Sequence, residues 1–139
     1  MALALAASWA AAAQADIGQI KTIKGAVTVE RHGTTLPGQI GLLLEPLDIV
    51  KTGLDGAVGI TMRDDSLLSA GPNSILSLER FDFDASGRQP GRFDAGLQRG
   101  TLLVVSGRIA KQVPPSMTVR TPSAVLGVRG TEFAVEVYE

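Results

Sequence analysis

Glycine and proline punctuate this chain so densely after residue 15 that no long helix can form there. All 16 glycines and all 7 prolines lie in that stretch, and the runs left between them are of strand length. A helix interior loses about 1 kcal/mol per Gly and about 3 kcal/mol per Pro relative to Ala, and no run there sustains a 3.6-residue apolar period. Short alternating segments bounded by turn residues predict an all-β domain. The expected architecture is a single-domain β-sandwich or jelly-roll-like roll of many short strands, with a β-solenoid-like roll as the alternative.

Ile20, Thr22 and Lys24 alternate against Lys21 and Ile23, and Gly25–Arg31 forms a strand with Val27 and Val29 facing one way. His32-Gly33 is a turn. The stretch from Leu36-Pro37-Gly38 to Glu45-Pro46 reads as loop, because proline blocks ladder hydrogen bonds. Leu47–Thr52, Gly56–Met62, Ser66–Ala70 and Ser74–Arg80 read as further strands. Phe81 to Gly96, rich in Gly, Asp and Arg, is the one long excursion from the pattern. Leu97–Ser106 resumes as a strand broken at Arg99-Gly100, and Ser106-Gly107 turns the chain back. Pro114-Pro115 separates it from the strand Met117–Thr121. Gly25–Val29 and Gly56–Ile60 echo each other too briefly to mark a repeat protein.

The first 15 residues, MALALAASWAAAAQA, carry no charged side chain and end in the small-x-small site Ala13-Gln14-Ala15. This is the form of a cleavable signal peptide, although only the α-amino group supplies its positive charge. The alternative, an Ala-rich buried helix, fits poorly with the cleavage site and the β character that follows. The run is also too short for a membrane span of about 20 residues. The expected organisation is a signal peptide over 1–15 and one β domain over 16–139, exported to the periplasm, with no stable membrane span once the leader is removed. A domain of that length buries roughly two-thirds of its unfolded surface, enough for one core. The chain has no cysteine, so disulfides, thiol catalysis and Cys-based zinc sites are excluded. The 13 basic residues are scattered and the formal net charge is −1, which argues against nucleic acid as a partner.

The last strands carry the most specific pattern, Val119-Arg-Thr-Pro-Ser-Ala-Val-Leu-Gly-Val-Arg-Gly-Thr-Glu-Phe-Ala-Val-Glu-Val137. Phe133, Val135 and Val137 fall on one face, and Glu132, Glu136 and Tyr138 on the other. Gly130, between Arg129 and Thr131, predicts a bulge closed to a Cβ, with the Arg129 head bonded to backbone carbonyls there. Gly127 is likewise read as serving backbone geometry, and Phe133 as core.

The string T-P-x-A-x-x-G-V-R-G-T-x-F-x-V resembles the closing motif of the FecR domain family. Earlier segments resemble the same family: Gly25–Val29 its G-x-V-x-V strand, Asp48–Gly53 its G-D-x-[IV]-x-T-G turn, Asp64–Ser74 its D-G-[ST]-x-[LIV]-x-[LI]-x-P-x-[ST] stretch, and Leu97–Leu102 its [LV]-x-x-G-x-[LV] element. Three departures stand out. Pro46-Leu47 occupies the place where many members have glycine, Asp65 replaces the usual glycine, and Ala70 replaces a larger aliphatic. The resemblance implies an extracytoplasmic all-β recognition module that does no chemistry and works through an envelope protein partner, by contacts such as strand addition at a sheet edge. The family's namesakes add a cytoplasmic anti-sigma segment, a transmembrane helix and a further domain. The chain as read is expected to be a stand-alone exported member without anti-sigma activity. A structural cell-envelope or surface-polymer binding role is the alternative function.

The residues themselves supply no catalytic constellation and no cofactor site. His32, the single histidine, sits in a turn with no Ser-His-Asp or H-E-x-x-H spacing around it. Serines 66, 69, 74, 77, 106 and 123 lack a nucleophile-elbow context. Asp82-Phe-Asp-Ala-Ser-Gly87 reproduces the first half of a calcium loop. Phe93 stands where the closing carboxylate belongs, and Asp94 comes one residue late. The segment therefore reads as an Asx-rich connector rather than a metal site. Arg129 could fork onto an anion, but the structural role given above is the reading preferred here.

Overall fold

The computed structural model describes residues 16–112, 116–130 and 132–138. The expected signal peptide, the Pro114-Pro115 separator and Thr131 of the closing motif lie outside them. Twelve strands are described: β1 (Gly18–Lys24), β2 (Val27–Arg31), β3 (Thr34–Pro37), β4 (Leu43–Leu44), β5 (Ile49–Thr52), β6 (Ala57–Met62), β7 (Leu67–Ala70), β8 (Ile75–Asp82), β9 (Arg92–Val105), β10 (Met117–Arg120), β11 (Val125–Val128) and β12 (Glu132–Val137). One short helix, α1 (Arg108–Lys111), follows β9. The all-β sandwich or roll expected from the sequence is what forms.

The strands make one continuous sheet bent into two layers. One layer runs β4–β1–β6–β7–β9–β12, and the other runs β3–β2–β5–β8–β9–β10–β11. β9 belongs to both. Up to Arg99 it pairs with β8, and from Gly100 onward it pairs with β7 and β12. All pairings are antiparallel among the described residues except β9 with β10, which is parallel. Alternation then decides the core. Ile20, Val58, Ile60, Leu68, Leu102 and Val104 point inward from one layer, and Val29, Val50, Leu76, Leu78, Phe93 and Val119 from the other, all in a single buried cluster. Phe93 packs edge-on against Phe81 at 5.1 Å between ring centroids, a favoured aromatic geometry.

The chain passes between layers along a line of tight corners. Gly53 donates its amide to the Ala26 carbonyl (2.9 Å), the Thr52 hydroxyl donates to the Gly71 carbonyl (2.6 Å), and the Ser74 amide donates to the Thr52 hydroxyl (2.9 Å). The Thr101 amide then donates to the Ser74 hydroxyl (3.0 Å). The two halves of the internal echo, Gly25-Ala26 and Gly56-Ala57, meet here. A Cβ on Gly56 would lie 2.7 Å from the Ala26 carbonyl oxygen.

Several expectations are corrected. The stretch from Leu36 to Pro46 holds β4 and the end of β3, since proline is tolerated on an edge strand and among the described residues β3 pairs only with β2. The excursion after Phe81 is shorter than expected, because β8 runs to Asp82 and β9 begins at Arg92. The break at Arg99-Gly100 is a change of layer within one strand of 14 residues. After Ser106-Gly107 comes α1, four residues long and too short to leave a helical period. Asp64 holds it in place: its backbone carbonyl accepts from the Arg108 amide (2.7 Å) and its carboxylate from the Ile109 amide (3.1 Å).

His32 and Gly33 form the expected hairpin turn, with φ of 51° and 76°, as a two-residue type I′ connection requires. Leu47 and Asp65 also have positive φ, 72° and 70°, and these are the positions where the chain departs from a family glycine. A Cβ in the left-handed region costs about 1–2 kcal/mol, which asparagine and aspartate bear best, whereas Leu47 carries a branched side chain that is 68% exposed. Leu47→Gly is therefore expected to raise stability by about 0.5–1 kcal/mol in a urea melt, net of glycine's greater unfolded freedom. Asp65→Gly should gain less. A loss at Leu47→Gly would mean that its side chain contributes contacts the exposed surface does not suggest.

Candidate functional site

Few of the polar groups singled out in the sequence gather into a site. His32 is exposed on the β2–β3 turn. Ser66 and Ser74 are buried with their hydroxyls bound to backbone, Ser66 accepting from the Gly107 amide (3.2 Å) and Ser74 from Thr101. Ser69 is exposed on β7, Ser77 half-buried on β8 and Ser123 exposed before β11, while Ser106 is buried.

The Asp82–Gly87 segment does not aim its carboxylates at a common point. Asp82 accepts from Arg80 (2.8 Å), while Asp84 accepts from the Ser86 amide (2.9 Å), the Ser86 hydroxyl (2.6 Å) and the Gln89 amide (3.1 Å). The Ser86 hydrogen bonds hold the Asp84 carboxyl below the usual carboxylate range. Gly87, at φ 74°, completes the turn. Asp84 thus forms an Asx-type turn with Ser86. Phe93, at the place of the missing ligand, is fully buried. Asp94 faces outward to Arg92 (2.8 Å) and the Thr118 hydroxyl (2.7 Å). Partial burial pushes the Asp94 carboxyl up, but these hydrogen bonds and the charges of Arg92 and Arg80 outweigh it and hold it low.

The closing motif is corrected in one respect. Neither Gly127 nor Gly130 has a positive φ. A Cβ on Gly127 would meet nothing within 4 Å, and for one on Gly130 the nearest atom would be the Lys111 Cγ, at 3.3 Å. Gly130 is an exposed connector between β11 and β12, its amide donating to the Ala110 carbonyl (3.3 Å). It is not a bulge closed to side chains. Arg129 is exposed beside it and borders a groove with Arg92, Ser116 and Thr118. The alternation of β12 holds, but Phe133, Val135 and Val137 are half-buried at the margin of the core.

What the fold does build is an edge and a face. β12 pairs with β9 alone among the described residues, which makes it a six-residue edge strand there. The outer face that it borders carries hardly any charge. Pairing register sets Gly59, Ser69, Leu103 and Ala134 side by side across four strands, with Thr61, Leu67, Val105 and Glu132 in the next row. Leu67 and Leu103 are 45% and 42% exposed. A groove of about 510 Å³ runs over this face, bordered by Ser69, Gly71, Thr101, Leu103, Ala134 and Glu136. The opposite outer face is ionic, with Arg80 on Asp82, Arg92 on Asp94, and Arg120 on Glu79.

From β6 to β12 the charged side chains of the neutral face are Glu132 and Glu136, both on the edge strand. Glu136 accepts a hydrogen bond from the Tyr138 hydroxyl, which pushes that phenol above its ordinary value. The sequence showed the alternation of β12 but not this face, because the face is assembled from four separate strands. Its faint signal was the small or neutral residue at each outward position of β6, β7 and β9.

A family model described as FecR protein matches residues 48–139. No curated protein and no solved structure matches the chain. The matched region starts at Asp48 and takes in β5 to β12, including the edge and most of the neutral face. The Gly25–Val29 segment that resembles the family's opening strand lies before it.

Proposed function

The chain belongs to the FecR family, and on that premise we propose that it is a non-enzymatic sensing or regulatory module of the cell envelope. It is exported by residues 1–15 and acts in the periplasm through contact with another envelope protein. The family match over β5–β12 carries this reading, since the family's domains are envelope-associated signalling parts. Among the described residues no helix is long and apolar enough to cross a membrane. The contact surface is the β12 edge with the neutral face beside it, where a partner strand would extend the sheet.

The test is complementation of a strain that lacks the chain. Loss should change transcript levels of envelope genes, and the full-length chain should restore them, its periplasmic form beginning at Asp16 by N-terminal sequencing. A version lacking residues 2–15 should stay in the cytoplasm and restore nothing. Unchanged transcripts on deletion, or rescue by the leaderless chain, would overturn the reading.

A further inference from the structure

The connector between β8 and β9, together with α1, lines a cavity of about 450 Å³, within the range of about 300–1,000 Å³ usual for small-ligand sites. Its walls are pinned. Phe83 anchors the connector, its ring centroid 6.3 Å from that of Phe81 in the core. The Gln112 side chain accepts from the Gly91 amide (3.1 Å) and donates to the Gly91 carbonyl (2.8 Å), which ties the end of α1 to the residue before β9. Asp84 is fixed by its hydrogen bonds from Ser86 and Gln89. A site held in shape beforehand binds at lower entropic cost.

Two arginines line this cavity. The Arg108 guanidinium lies over the Phe83 ring, 4.9 Å from its centroid, and one Nη donates to the Ala85 carbonyl (3.2 Å). A guanidinium carries five N–H donors, so this bond orients the fork and engages one of them. Arg88 is exposed on the connector. The charged side chains of the lining are Arg88, Arg108 and Asp84, two positive and one negative, which leaves a single positive charge. One carboxylate balances it and suits the planar fork of arginine. A phosphate, with nearly two negative charges at neutral pH, exceeds it and sets the surplus against Asp84. The rest of the lining is neutral: Gln89 offers an amide donor and acceptor, and Phe83 and Pro90 offer apolar surface. We infer that the cavity binds a sugar acid, a hexuronate whose carboxylate meets Arg88 and Arg108 and whose hydroxyls reach Gln89 and Asp84. The site uses no residue of β12, so it adds a ligand to the module and does not redescribe its partner contact.

Galacturonate, glucuronate, galactose and inorganic phosphate are each titrated into the isotope-labelled chain at low salt, where charge is least screened, and followed by NMR. The tighter of the two uronates is expected to bind at least ten-fold better than galactose and than phosphate, with shift changes on residues 83–91 and 108–112. Arg88→Gln and Arg108→Gln should each weaken it at least ten-fold, and Arg120→Gln, on the opposite ionic face, should not. Folding of each variant is checked by circular dichroism. Should Arg108→Gln misfold, Arg88→Gln still decides, because that side chain is exposed. A trimer of the same uronate that binds more tightly than the monomer assigns the ligand to an acidic polysaccharide, and one that does not assigns it to the free acid. Galactose or phosphate bound as tightly as the uronate, no binding at millimolar concentration, shifts centred elsewhere, or unchanged affinity in a folded arginine variant of the cavity would each overturn the inference.

Discussion

Gly100→Ala is expected to destabilise the domain by about 3–5 kcal/mol in a urea melt, from backbone strain and overpacking together. Gly100 sits where β9 leaves one layer and enters the other, at φ 94°, a conformation that residues with a Cβ adopt only under strain. The space is closed as well, since an ideal Cβ there would lie 2.5 Å from the Ser74 Cα. Neither partner can withdraw cheaply. Ser74 is buried, and its hydroxyl accepts from the Thr101 amide next to the glycine, while its amide is bound to Thr52 at the neighbouring corner. A loss of this size is a large part of the 5–15 kcal/mol typical of a domain. Gly127→Ala is the control. That glycine lies in open space, so the change should stay within about 0.5 kcal/mol. If the two variants melt alike, the crossing line is more pliable than its hydrogen bonds imply.

Gly100 also illustrates what could be read in advance. Its disruption of the Leu97–Ser106 pattern was visible, but a break and a change of layer look the same in one dimension, since both interrupt alternation. Only the partner strands tell them apart. Leu47 and Asp65 were visible as departures from a family pattern, and their positive φ supplies the physical reason for glycine there. Gly130 failed in the opposite sense: its setting between Arg129 and Thr131 suggested a constrained backbone, and the structure places it in an exposed connector. The neutral face was hidden for a further reason. Gly59, Ser69, Leu103 and Ala134 are dull residues taken singly, and they gain meaning only through the register that aligns them.

Arg31→Met is expected to cost about 3–5 kcal/mol, because it strands a buried carboxylate. Asp48 is fully buried and receives the Arg31 guanidinium through Nε (3.0 Å) and an Nη (2.8 Å), with the Glu45 amide as a further donor (2.9 Å). Without the arginine, that amide alone would have to satisfy the charge. Asp48→Ala should cost less, about 2–3 kcal/mol. In that variant Arg31 keeps Glu45 at 2.6 Å, still donates to the Leu43 carbonyl (2.9 Å), and is 21% exposed, so its charge retains partners and water. The double variant should therefore fall short of the sum by about 2 kcal/mol, within the range for residues in one network. The asymmetry between the single variants is the diagnostic result; equal costs would mean that water reaches the carboxylate when the arginine is gone. The pair also joins the two parts of the molecule. Asp48 opens the family-matched region, whereas Arg31 ends β2, which precedes it. The early strands β1–β4 are thus bound to the matched region by a buried charge as well as by sheet pairing, so truncating the chain to residues 48–139 should expose the Asp48 carboxylate and leave an incomplete fold.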